Sequence, residues 1–226
     1  GMELETANAI NKSYHKFDQL YDMKKLKLNS VYATGARGNA TASYKVMKKD
    51  IQIHPSGYSN KAYKQRVSID RSIRGDYRKK LESKIAKLEA SGGSRGEISF
   101  YKTELKKEIA KPFKHSWTWT VSDDMADVFA HEFGHHVNYK LAMDGIIDGN
   151  ELHMIFGGKD TSLSSVAKGT WKRGRKKQAL KVSEYASKTV TENFAECWTA
   201  YHKGKTDLLF PKEIDFIEGI IEKIKR

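Results

Sequence analysis

Within residues 126–140, ADVFAHEFGHHVNYK, His131 and His135 stand four apart and Glu132 sits beside the first of them. On a helix that spacing puts both imidazoles on one side, a turn apart, where they could share a metal ion. A helix that binds zinc and hydrolyses a substrate is one reading; a helix merely rich in histidine is the other. Zinc takes N, S or O ligands in tetrahedral geometry, and a catalytic site keeps one position for water, so the pair needs one more protein ligand. A third histidine in the extended His-x-x-Gly-x-x-His pattern would require glycine at 138 and histidine at 141. Asn138 and Leu141 stand there instead, which removes that class. The single cysteine, Cys197, excludes an internal disulfide and a cysteine-rich zinc site. His153 is available downstream, with no spacing argument in its favour.

Residues 183–204, SEYASKTVTENFAECWTAYHKG, offer better ligands. Glu192 and Glu196 are four apart on a predicted helix whose apolar face is Phe194, Cys197, Trp198 and Tyr201. Carboxylates so near a buried face are costly unless a cation or a histidine compensates them. Glu192 as zinc ligand, with Glu196 accepting the second N–H of a ligand histidine, would satisfy both. In the alternative, Thr189 and Glu192 form a Thr-x-x-Glu capping box and Glu196 is solvated.

Three stretches together, HEFGHHVNYK, SEYASKTVTENFAECWTAYHKG and FPKEIDFIEGIIEKIK, resemble the catalytic domains of the anthrax lethal factor family, zinc metallopeptidases of the glutamate-ligand zincin class. The resemblance covers roughly residues 120–224 and includes the spacing from Tyr185 to Glu192, the paired glutamates and the final amphipathic helix. The upstream TASYKVMKKDIQIHP is similar to the β-hairpin that such enzymes place above the active-site cleft. Related domains are attached to phage head-morphogenesis proteins, which implies an origin in a mobile element. The resemblance implies that His131, His135 and Glu192 bind Zn2+ and that Glu132 is the general base, taking a proton from water and passing it to the leaving amine. It implies that Tyr185 donates its phenol O–H to the oxyanion and that Glu196 orients a ligand histidine. A long basic insertion between the motif helices departs from the family pattern.

The elements that must position these residues are legible in part. Ser122, Asp123 and Asp124 can cap a helix N-terminus, Ala126, Phe129, Ala130, Phe133 and Val137 give that helix an apolar face, and Gly145 stops it. Residues 3–26 carry a helical period through Ile10, Tyr14, Phe17 and Leu20/Tyr21. Three short strands are predicted at 28–34, 41–47 and 50–55; Gly35 and Gly38 separate the first two, and Lys48, Lys49 and Asp50 turn the last two into a hairpin. Pro55 and Gly57 end that unit. A helix is predicted over 76–90, closed by SGGSRG, another over 97–110 before Pro112, and SWTWTV (116–121) alternates like a strand. His136 faces away from the ligand side and is expected to be packed or exposed. His54, His115, His153 and His202 read as structural or surface residues, and Trp117, Trp119, Trp171 and Trp198 as core or loop anchors. The expected architecture is one α+β, zincin-like domain over 1–226: an N-terminal helix (1–27), sheet and helices (28–120), then the catalytic and C-terminal helices (121–226).

At 226 residues, 38% hydrophobic and 31% charged, the chain reads as a soluble, polar protein with room for one sizeable core. It has no run approaching the ~18 apolar residues that span a bilayer. The start, GMELETANAI, lacks a basic-then-apolar signal pattern, and the glycine before Met2 reads as a cloning remnant, which leaves a larger parent or a removed leader open. The expected setting is cytoplasmic or phage-associated. The net charge of +13 includes KGTWKRGRKKQALK (168–181), seven Lys or Arg around Trp171. That segment is either a solvated basic loop or a contact for an anionic partner: nucleic acid, a membrane surface or an acidic substrate. The expected function is zinc metalloendopeptidase, its peptide or protein substrate adding to an edge strand of the sheet. The alternatives are a basic nucleic-acid-associated phage or mobile-element protein with a non-catalytic zinc site, and a zinc-stabilised interaction module. Glu132 and Tyr185 argue against both, because holding a metal requires neither.

Overall fold

In the computed structural model of the protein, residues 2–35, 40–109, 119–157 and 179–226 are described. Helix α1 (Leu4–Leu20) turns Thr6, Ile10 and Phe17 inward. The helical period expected over 3–26 is interrupted: Tyr21 is extended and bridges to Lys225, and α2 (Met23–Leu26) restarts behind Asp22, whose carboxylate accepts from two backbone N–H groups. Tyr21 is drawn out of the helix by burial against the aromatic core, which no local pattern encodes.

Strands β1 (Ser30–Ala33), β2 (Ala42–Lys45) and β3 (Asp50–Ile53) form a mixed sheet in the order β1-β3-β2. The expected hairpin is the antiparallel β2–β3 pair, and β1 runs parallel to β3. Ile51 and Ile53, two apart and therefore on one face, are fully buried and hold the sheet on the core. Helix α3 (Asn60–Ala90) starts well before the predicted 76–90. Its first half has too few apolar residues to show a period; the Ser59 cap and the contacts of Asn60 and Tyr63 set it instead. A short turn with Gly92 at φ +68° leads to α4 (Arg95–Ile109), which packs back on α3.

The strand expected at 116–121 is not found over 119–121; residues 116–118 lie outside the described residues. The backbone groups that a ladder would use are taken. Trp119 N–H goes to Asp70, the Trp119 carbonyl accepts from Tyr185, and Val121 N–H goes to Glu196. The two helices of the site follow: α5 (Met125–Met143) and, after the short α6 (Gly149–Leu152) and a wide turn at His153–Gly157, α7 (Val190–His202). Helix α8 (Pro211–Ile224) closes the fold with Ile217, Ile220 and Ile224 inward. The core sits between α1, α5 and α7, where Phe17 stacks on Phe133 at 4.8 Å and Trp198 packs on Phe194. The architecture is α+β, mostly helical, with a small mixed sheet. No helix among the described residues is long and apolar enough to cross a membrane.

Candidate metal centre

The local sequence gives α5 a firm start. Asp124 accepts from the N–H groups of Ala126 and Asp127, and buried Asn60 takes Met125 N–H at 2.9 Å. These groups satisfy donors that a helix N-terminus leaves free. Asn60 N–H itself bonds Thr6 Oγ1, so α1, α3 and the head of α5 are tied at one point. At the other end Gly145, at φ +66°, ends the helix as expected. Lys203, just past α7, donates to Asp123 at 2.7 Å, to Asp127, and to the Val121 carbonyl, which locks the end of α7 to the start of α5.

Gly134, inside the His-Glu-x-x-His stretch, decides how closely the two helices meet. A Cβ there would lie 3.2 Å from Ala195 Cα and from Trp198 Cβ and Cδ1, so any larger residue would push α7 away. The close approach brings Glu192, one turn above Ala195, over the two histidines. His131 Nε2 and His135 Nε2 lie 3.0 and 3.1 Å from the same oxygen of Glu192, and the three atoms fall within 4.8 Å of one another. Two imidazole nitrogens and a carboxylate oxygen converging on one point form a donor set suited to a borderline metal such as zinc. The structure thus brings together all three residues singled out as ligands.

Glu196 lies one turn beyond Glu192 and is fully buried. Its Oε1 accepts from Thr120 Oγ1 at 2.8 Å, and its Oε2 from Val121 N–H at 2.7 Å and Ser183 Oγ at 2.6 Å. His131 Nδ1 approaches Oε1 to 2.8 Å, at an angle short of a well-aligned hydrogen bond. The solvated Glu196 of the alternative reading is therefore excluded. The capping alternative holds by half: Thr189 accepts from Glu192 N–H at 3.1 Å, while the Glu192 carboxylate turns to the histidines. Thr120, Val121 and Ser183 could not be picked from the sequence, because none has a spacing relation to the motif.

A cleft of about 560 Å³ opens beside this cluster, lined by His131, Glu132, Tyr185 and Glu196 on one side and by Thr41, Ala42, Tyr63 and Val67 on others. The Glu132 carboxylate accepts no hydrogen bond among the described residues and faces the cleft. The Tyr185 ring lies 5.6 Å from that of His131, and Tyr185 lines the cleft beside it. Burial, then the charges of Glu192, Glu132 and Glu196, push the Tyr185 phenol well above its ordinary range, so it remains a donor at neutral pH. Burial alone would lower the pKa of His131; hydrogen bonds and charge from Glu192 and Glu196 outweigh it and hold the imidazole well above its usual value. Burial would raise Glu192, and the bonds from His131 and His135 draw it well below the usual carboxylate range. The cluster attracts positive charge.

The other histidines fall where expected or nearby. His136 is packed: Tyr44 O–H and the Leu26 carbonyl lie 2.8 Å from its two nitrogens, and burial lowers it to about 4. His54 and His153 are buried, and His202 bonds the Tyr21 hydroxyl. Trp198 is core; Trp119 is part exposed at the cleft, with Lys188 Nζ 4.4 Å over its ring. His115, Trp117, Trp171 and the cations Lys172, Arg173, Arg175, Lys176 and Lys177 lie outside the described residues. Lys181 leaves the proposed basic loop: it is buried and donates to the Leu209 carbonyl at 2.9 Å. No protein-family model, curated protein or solved structure matches the chain.

Proposed function

We propose that the protein is a zinc metalloendopeptidase of the glutamate-ligand zincin class, related to the lethal factor family that its sequence resembles. The supporting observation is the convergence of His131, His135 and Glu192 beside Glu132 and Tyr185 in one cleft. Those three side chains would hold the zinc, which when bound would supply Lewis-acid polarisation and bring the pKa of a bound water to about 7. Glu132 Oε, unpaired and facing the cleft, takes a proton from the attacking water and returns it to the leaving amine. Tyr185 Oη donates to the carbonyl oxygen as negative charge develops there. Glu196 holds the His131 ring through Nδ1, which leaves Nε2 free of a proton for the metal. Strand β2 is an edge strand whose first residue, Ala42, lines the cleft, so an extended peptide can pair with it.

The test is Glu132→Gln, assayed for zinc content and for cleavage of a peptide library. Glutamine can orient water but cannot take its proton, so zinc stoichiometry should hold near one per chain while turnover falls about 10²–10⁴-fold. Full activity in this variant, or wild-type protein that binds zinc and cleaves nothing, would refute the proposal.

A further inference from the structure

We infer that the α3–α4 hairpin is a polynucleotide-binding arm that grips the phosphate backbone, a role independent of the peptidase reading. Together α3 and α4 carry fourteen Lys or Arg against seven Asp or Glu, more than half of the chain's net charge of +13. Three cations near the body have local partners: Lys64 pairs with Glu5, Arg66 donates to Thr41 and Arg71 pairs with Asp123. Farther out, Arg78, Lys84, Lys102 and Lys107 pair with acids of the hairpin itself, while a second set of cations is left over. Lys79, Lys80, Lys87, Arg95 and Lys106 are exposed and have no ion-pair partner among the described residues. Arg95 and Lys106 fall on one face of α4 with Lys102, which pairs with Glu89 at 2.7 Å, between them, at i, i+7 and i+11 in a row about 16 Å long.

The hairpin also has its own small core. Leu81 and Ile85 are buried between the helices yet are not part of the main hydrophobic cluster. Folding of the catalytic body therefore does not explain why so much uncompensated charge is concentrated there. A membrane surface fits poorly: the exposed apolar residues of α3, Ile69 and Tyr77, are eight positions apart with charged residues between them and offer no continuous apolar face to insert. Cations spread along the length of two helices match a linear polyanion, and each phosphate they neutralise releases counterions. The exposed rings of Tyr77 (48%) and Phe100 (59%) stand among these cations, where unpaired bases can stack on them. The arm's root carries Arg66, Val67 and Asp70 into the cleft wall, so a bound polynucleotide is held by the helix that also borders the site.

The experiment is a salt titration of binding to a fluorescein-labelled oligonucleotide of mixed sequence, single- and double-stranded, by fluorescence anisotropy. It compares wild type with a variant carrying Lys79→Ala, Lys80→Ala, Arg95→Ala and Lys106→Ala. Alanine keeps the helices, and unchanged zinc content and circular dichroism report that the body is intact. Four phosphate contacts predict a slope of about −3 to −4 in log K against log salt, hence a loss of about 10²-fold between 50 and 200 mM salt. In the variant most of that slope and of the affinity should vanish. Equal binding by variant and wild type would overturn the proposal, placing any affinity elsewhere. Flotation with phosphatidylserine vesicles but no binding to either oligonucleotide would also overturn it.

Discussion

Glu196→Gln changes one atom in the best-connected side chain of the site. Of the two carboxylate oxygens, Oε2 receives Val121 N–H and Ser183 Oγ, and Oε1 receives Thr120 Oγ1 and the approach of His131 Nδ1. A backbone N–H can only donate, so the glutamine must leave its oxygen at the Oε2 position and turn its NH2 toward Thr120 and His131. Thr120 can rotate its hydroxyl to accept. His131 can accept at Nδ1 only by moving its proton to Nε2, the nitrogen that faces Glu192. The substitution thus favours the tautomer that cannot bind a metal. Losing an outer partner of this kind costs about 10–100-fold in metal affinity, or about 1.4–2.7 kcal/mol. A competitive chelator titration with zinc reads the change directly, and stability of the metal-free protein should fall by about 1–3 kcal/mol. Zinc affinity equal to wild type, with the stability loss present, would show that Glu196 supports the fold and does not set the tautomer.

Tyr185→Phe should lower kcat by about 10²-fold with little change in KM, because in the proposed mechanism the phenol would contact charge that exists only in the transition state; steady-state kinetics on a cleaved peptide decide it, and a change in KM alone would make Tyr185 a substrate-binding residue. Gly134→Ala sets overpacking of about 1–3 kcal/mol against a helix-propensity gain of about 1 kcal/mol. Zinc affinity should therefore fall even where denaturant unfolding registers little, since α7 and Glu192 must retreat. His202 is lowered from 6.5 to about 3, first by burial and then by Lys16. Between those values the unfolded chain binds a proton that the folded chain refuses, so stability falls as pH drops below about 6.5, by about 1.4 kcal/mol per pH unit. Denaturant unfolding at pH 7 and pH 5 should differ by about 2 kcal/mol more in wild type than in His202→Phe.

The motif was legible because its chemistry is local. His131, His135, Glu192 and Glu196 follow helical spacing, and spacing survives without knowledge of the fold. The β2–β3 hairpin was legible for the same reason, through Lys49, which adopts φ +54° at the turn. The partners of Glu196 were not: Thr120 and Ser183 reach it from segments 76 and 13 residues away and are chosen by tertiary packing alone. Trp119 to Val121 looked like a strand because alternation records only side-chain burial; it does not record that the backbone donors go to Asp70 and Glu196. The early start of α3 was hidden because its first turns are held by Asn60, a polar residue that reads as a surface position and is in fact 2% exposed.

The charge pattern connects these pieces. Glu132, Glu192 and Glu196 come together around two imidazoles, and no Lys or Arg hydrogen-bonds to any of the three carboxylates among the described residues. Neutral histidines do not balance that negative charge, and burying it without a counterion is costly. The consequences are visible in the proton affinities: His131 is drawn upward, and the phenol of Tyr185 is held protonated against three nearby carboxylates. A divalent cation at the convergence of His131, His135 and Glu192 would relieve the same imbalance, and it would compete with the proton on His131 for the same nitrogen. Metal binding must therefore release protons and weaken as pH falls. Glu132, one residue from a ligand and outside the ligand set, would keep its open side toward the cleft. That separation of roles, two carboxylates fixed to the histidines and one left free, is what a hydrolytic site requires and a purely structural metal site does not.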